Sequence, residues 1–240
     1  PKGYQMFKKI SNEWRRKKNL DEIISKLLQK NFEVMPFQIP EIFFSKHHYS
    51  HAASAFFPSN FEEAMVLCVD GVGEYDTTSI WHGYQNELSY IKGIKFPHSL
   101  GLIYSAFTQY LGFKVNSGEY KLMGLAPYGE PKYVNLIFEK LVSQTDDGSF
   151  KLNMKYFCFP YQNQMVNENF CKLFGMPVKL EDEDFLTKHL DIACSIQRVL
   201  EIMLVKIVNN IFEEYQIKNL CMAGGVALNC VANSKILNET

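Results

Sequence analysis

Apolar residues recur at helical spacing through residues 4–31, where Ile10, Trp14, Leu20, Ile23, Ile24, Leu27 and Leu28 stand among Lys, Arg and Glu. The stretch MPFQIPEIFF follows, and its two prolines predict an extended passage. HHYSHAASAFF has no breaker until Pro58 and reads as a short helix opening near Ser45, a residue suited to the N-cap. The period then changes. EAMVLCVDGVGE is an unbroken apolar run ending in a tight turn, which predicts a buried strand. DTTSIWHGY and ELSYIKGIKF alternate and predict two further strands of a meander. LGLIYSAFTQYLG predicts an apolar helix closed by Gly112. GEYKLMGLAPYGEP reads as a polar loop with one apolar turn, and residues 133–143 as a helix.

Residues 145–185 carry the weakest pattern: DDGS marks a turn, and KYFCFPY reads as a strand or a packed loop. Residues 187–216 predict a long helix, with Ile192, Ile196, Val199, Ile202, Met203, Val208, Ile211 and Phe212 on or near one face. NLCMAGGVALN predicts a strand, a Gly-Gly turn and a helix from about Leu228. No internal repeat or low-complexity segment breaks this order, which implies α/β layering.

Composition narrows the picture. At 240 residues and 47% hydrophobic content the chain has ample material for a core. A net charge of −1 gives no bulk electrostatic case for nucleic acid or an anionic membrane, and the basic run Lys8–Lys18 is adequately a solvated helix face. No apolar stretch reaches the length of a membrane span. The six cysteines show no CxxC spacing and several sit in apolar runs, as expected of buried free thiols in a cytoplasmic protein. The chain opens at Pro1 and stops at Thr240, just past an expected helix start, which reads as a piece of a longer protein.

Three segments carry candidate chemistry. His47 and His51 are four apart, so on a helix they share a face and can chelate one ion; a satisfied histidine pair has the same spacing. His48 points about a quarter turn away and is the poorer ligand. Asp70 ends the apolar strand ahead of Gly71 and Gly73, where a carboxylate can hold a metal, orient a phosphate or cap a plain turn. AGGVALN, Ala223–Asn229, exposes backbone N–H groups at a helix start, which suits a phosphate or nucleotide; simple strand–helix packing also uses such a glycine pair. In SGEYKLMGLAPYGEP, Glu119 can accept a ribose hydrogen bond and Lys121 can meet phosphate, and a solvated surface pair accounts for that spacing too. His82, His98 and His189 stand alone and read as structural or surface histidines.

Taken together, HHYSHAASAFFPS, VDGVGE, PHSLGLIYSAFTQYLGF, SGEYKLMGLAPYG and AGGVALNCVAN resemble, in order and spacing, the NodU-type O-carbamoyltransferase family over residues 40–240. The resemblance implies an ASKHA (actin-like ATPase) fold of mixed sheets flanked by helices, with two lobes dividing near 190–220 and a YrdC-like domain following in the full-length protein. In such proteins the YrdC-like domain makes carbamoyl-adenylate from carbamoyl phosphate and ATP. The ASKHA-like domain moves the carbamoyl group to a hydroxyl of a sugar, antibiotic or related natural product. An iron-type divalent metal is implied at His47, His51 and Asp70; mixed imidazole and carboxylate ligation also accepts manganese or zinc. The resemblance places Gly224, Gly225, Val226 and Asn229 on the nucleotide side of the cleft, and Glu119 and Lys121 near nucleotide or acyl phosphate.

The resemblance also implies a first strand pair, a His-Asp-rich loop, a later metal-binding Asp and the YrdC-like domain, all expected to lie outside this sequence. The chain alone is therefore expected not to form carbamoyl-adenylate. Two other readings stand beside this one: a Kae1/TsaD-like threonylcarbamoyl transferase acting on tRNA, and a non-catalytic nucleotide-binding module.

Overall fold

A computed structural model describes residues 19–240. Of the helix expected over residues 4–31, the described part is α1, Leu20–Phe32; the rest of that expectation, with the basic run, lies outside the described residues. One 3₁₀ turn, Pro36–Gln38, interrupts the proline-containing passage that follows. The chain divides into two compact units between Ser45 and Lys46.

The second unit is α/β. After α2, His47–Phe56, come β1, Glu63–Val69, β2, Asp76–Tyr84, and β3, Glu87–Lys95. With β6, Leu220–Ala223, they form one sheet in the order β3-β2-β1-β6. The predicted meander is present, with β1–β2 and β2–β3 antiparallel, whereas β6 joins β1 in parallel. Met65, Leu67 and Val69 of β1 enter a large core, while Ala64, Val66 and Cys68 enter a smaller one with Ala52 and Phe56 of α2. Burial on both faces is why β1 reads as a continuous apolar run rather than an alternation.

The large core lies between the sheet, α3, Leu100–Tyr110, and α7, Thr187–Tyr215. Ile192, Ile196, Val199 and Met203 of α7 are all at most 1% exposed. Each such side chain contributes roughly 1.5–3 kcal/mol by leaving water. β6 pairs with β1, and Lys46–Thr240 form one compact unit.

Four local expectations change. SGEYKLMGLAPYGEP is not a loop: α4 spans Glu119–Leu125 and a 3₁₀ turn spans Ala126–Tyr128. Gly124 lies inside this helix, where a Cβ would meet nothing within 4 Å. Residues 133–143 hold a shorter helix, α5, Val134–Lys140, then β4, Val142–Gln144, paired with β5, Phe150–Leu152. The irregular region also contains α6, Glu168–Phe174, capped by the Asn167 side chain and closed by Gly175 at φ 62°. KYFCFPY is a packed loop with Phe157 and Cys158 buried. Finally α8 is Cys230–Glu239, starting after a 3₁₀ turn, Gly225–Leu228, with Asn229 as its N-cap.

The PYGEP segment turns out to be a dock for α7. A Cβ on Gly129 would lie 2.1 Å from the Leu190 carbonyl oxygen, so only glycine fits this approach. Asp191 accepts from the Glu130 N–H and the Lys132 Nζ, both at 2.9 Å, and Ser195 Oγ accepts from the Tyr133 N–H at 2.9 Å.

Candidate functional site

The parallel register Cys68↔Ala223 carries Asp70 and Gly225 out side by side at the carboxyl ends of β1 and β6. Ligands of open α/β sheets bind at such strand ends. Asp70 Oδ1 accepts from the backbone N–H groups of Gly71 (2.8 Å) and Gly225 (3.2 Å). Its other oxygen, Oδ2, faces α2. His47 Nε2 lies 2.7 Å from it and His51 Nε2 lies 3.2 Å from it. Burial opposes the Asp70 charge, but the hydrogen bonds from His47, Gly71, Gly225 and His51 together bring its carboxyl down to about 2.

The helix that brings the histidines there does not open as expected. Lys46, not Ser45, is the N-cap, and it makes no side-chain cap bond. Instead the Glu74 carboxylate, 27 residues away, accepts from the His47 N–H at 3.0 and 3.3 Å, which holds the Glu74 carboxyl below its ordinary range. The turn Asp70–Glu74 thus binds α2 at both its carboxylates. Ser99, the N-cap of α3, fixes the same turn from below: its hydroxyl lies 2.7 Å from the Gly71 carbonyl and 3.0 Å from that of Asp70.

Beside Asp70 opens a cavity of about 380 Å³. Asp70, Glu119, Gly225, Val226 and Asn229 line it, with Leu102, Tyr104, Ser105, Asn116, Ser117, Met123, Leu200 and Leu228. Of the residues singled out in the sequence, Lys121 is exposed on α4 and is not among the lining residues. Gly224 shapes the turn from behind, at φ 94°. The Gly225 N–H, expected to face a phosphate, is committed to Asp70. Glu119 is held by three protein donors, Ser105 Oγ (2.7 Å), the Asn116 N–H (3.0 Å) and the Gly118 N–H (3.2 Å).

A family model described as carbamoyltransferase N-terminus matches residues 4–240. The chain belongs to the carbamoyltransferase N-terminal family. It is 51% identical over its whole length to an uncharacterized protein of Synechocystis sp., covering 39% of that protein. It is 33% identical over 215 residues to the nodulation protein NolNO of Sinorhizobium fredii, covering 89% of this chain and 29% of the relative. With the nodulation protein NolO of Bradyrhizobium diazoefficiens the identity is 32% over 192 residues, 80% of this chain and 33% of the relative. The resemblance to NodU-type proteins read from the motifs is thereby shown. The chain spans two fifths or less of the length of these three relatives.

In this carbamoyltransferase-family chain the sequence reading missed a buried polar network under the cavity. Gln197 of α7 accepts from Tyr104 Oη (2.9 Å) and Asn229 Nδ2 (2.9 Å), and donates to Asn229 Oδ1 (3.1 Å) and Glu201 Oε1 (3.0 Å). Asn229 Oδ1 also caps α8 through the Ala232 N–H at 2.9 Å. The Asn229 side chain is therefore largely spent on holding the Gly225–Leu228 turn in place. A signal existed: Gln197 falls at core spacing between buried Ala193 and Leu200, where a polar residue demands partners. The three histidines read as structural do take protein partners: His82 meets Glu63, while His98 and His189 accept from the Leu152 and Leu186 N–H groups.

Proposed function

We propose that the chain is the metal- and nucleotide-binding part of an O-carbamoyltransferase. In this reading it transfers the carbamoyl group of carbamoyl-adenylate to a hydroxyl of a sugar, antibiotic or related natural product, with AMP as the leaving group and the hydroxyl proton released. A YrdC-like domain of the same protein supplies the adenylate from carbamoyl phosphate and ATP. The carrying observation is the meeting of His47 Nε2 and His51 Nε2 on one oxygen of Asp70, beside a cavity walled by the Gly225–Asn229 turn. The fold agrees with an ASKHA assignment: three antiparallel strands are followed, after helices, by a strand parallel to the first.

The donor set fits a divalent ion. Two imidazole nitrogens and a carboxylate oxygen lie within 4.8 Å of one another, on residues that are partly exposed and so leave positions open. Asp70 is held by Oδ1, which orients Oδ2 toward the two imidazoles. His47, His51 and Asp70 would hold the ion, which when bound supplies Lewis acidity toward a carbonyl or phosphate oxygen. The side chains do the rest. Asp70 stays ionised at neutral pH. Leu102, Met123, Leu200 and Leu228 give the cavity an apolar wall. Among the described residues lining it there is no Lys or Arg, so the lining offers a phosphate hydroxyl and amide groups such as Ser117 and Asn116.

Calorimetry with ADP, a stable stand-in for the adenylate, tests the reading. In the presence of Mn²⁺ or anaerobic Fe²⁺ the chain should bind ADP, and Asp70→Asn should abolish this. Metal binding with no affinity for ADP would refute the nucleotide half of the proposal.

A further inference from the structure

We propose that His48, the middle histidine of the three, is a positioning residue that sets how His47 and His51 meet Asp70. This rests on the metal reading above and assigns His48 no ligand role. Its side chain is turned away from the cluster and the residue is 3% exposed. Nδ1 lies 2.6 Å from Ser79 Oγ on β2. Trp81 Nε1 donates to the same oxygen at 2.8 Å. An indole N–H can only donate, so Ser79 keeps its own proton and a second lone pair, either of which satisfies Nδ1. The His48 carbonyl accepts from Cys68 Sγ of β1 at 3.7 Å. On the other side, a Cβ on Gly73 would lie 2.8 Å from His48 Cδ2, so the turn carrying Asp70 closes directly on the ring.

One imidazole therefore couples three pieces: α2, β2 and the Asp70–Glu74 turn. Successive helical residues project about 100° apart, so fixing one of them fixes the direction of its neighbours. That matters because the two other rings are partly exposed. The His47 and His51 side chains are 46% and 30% exposed, and their side-chain anchor is the Asp70 carboxylate. A purely structural role explains His48 poorly. Its Nε2 is buried with no hydrogen-bond partner among the described residues, a cost that leucine in the same space would not carry. What leucine lacks is the directed bond to Ser79.

The test is Co²⁺ binding to the chain, read from its visible absorption, in the parent and in His48→Leu, His48→Asn and Ser79→Ala, each checked by thermal melting. Asparagine places an amide where Nδ1 lies and keeps the bond to Ser79. His48→Leu and Ser79→Ala should stay folded and lose about ten- to a hundredfold in affinity, as changes behind a ligand typically do. His48→Asn should stay close to the parent. A folded His48→Leu that binds Co²⁺ as tightly as the parent overturns the proposal. If His48→Leu does not fold, Ser79→Ala, which removes the hydroxyl that His48 shares with Trp81, decides by the same criterion. A parent that binds no Co²⁺ refutes the metal reading instead. Amide hydrogen exchange then decides on the anchor: faster exchange at residues 50–52 in Ser79→Ala supports it, and unchanged exchange overturns it.

Discussion

The two glycines of the Gly-Gly turn have separable roles, and alanine at each should show it. Gly224 sits at φ 94° and ψ 168°, a region that is essentially reserved for glycine. Forcing another residue there costs about 1–3 kcal/mol. Its Cβ would also lie 2.3 Å from the Val69 carbonyl oxygen, so β6 or β1, which is buried on both faces, must shift. Together these set a loss of about 3 kcal/mol or more for Gly224→Ala, a drop of roughly 6–12 °C in Tm at this chain length. Gly225 has no positive φ, and its Cβ would meet only Asp70 Oδ1, at 3.1 Å. Gly225→Ala should therefore cost about 1 kcal/mol, as one displaced hydrogen bond does, and act on the carboxylate that faces the histidines. Circular dichroism melts of both variants, with metal binding measured alongside, check this. A Gly224→Ala variant that melts within about 2 °C of the parent, roughly one-third of the smallest total shift expected, or a Gly225→Ala variant that falls as far as Gly224→Ala should, would refute the separate roles of the two glycines.

Two further predictions concern the groups under and beside the cavity. Asp70 is held at about 2 against an ordinary 3.8, so the unfolded chain binds the extra proton between those values and stability falls as pH drops through them. Asp70→Asn should remove on the order of 2 kcal/mol of that acid sensitivity in urea unfolding from pH 5 downward; an unchanged pH slope would contradict the assigned hydrogen bonds. Gln197→Leu should cost about 2–4 kcal/mol, because it strands Tyr104, Asn229 and Glu201 in the interior, whereas Tyr104→Phe should cost about 1 kcal/mol. Equal melting temperatures for the two variants would show that the network is not centred on Gln197.

The parts of the site legible in the sequence were those set by local spacing. The apolar run of β1 ends in Asp70, and His47 and His51 share a helical face, so their separate placements follow from periodicity. Their meeting follows from the register of β1 with β6 and the packing of α2, neither of which periodicity contains. The same limit explains the helix start. Ser45 has the right chemistry for a cap, but Glu74 supplies the cap from across the turn. Gly124 hid α4, and α6 was hidden because its buried face is only Phe170 and Phe174. Gln197 was passed over because an amphipathic pattern marks which positions are apolar, not which polar side chains go inside with them.

The central claim is that His47, His51 and Asp70 hold one metal ion. Elemental analysis after anaerobic purification, on the parent chain and on His51→Ala, tests it most directly. Near-stoichiometric divalent metal is expected in the parent and its loss in the variant, with the variant still folded. Equal metal content in the two, or none in a folded parent supplied with Fe²⁺, Mn²⁺ and Zn²⁺ in turn, would contradict it.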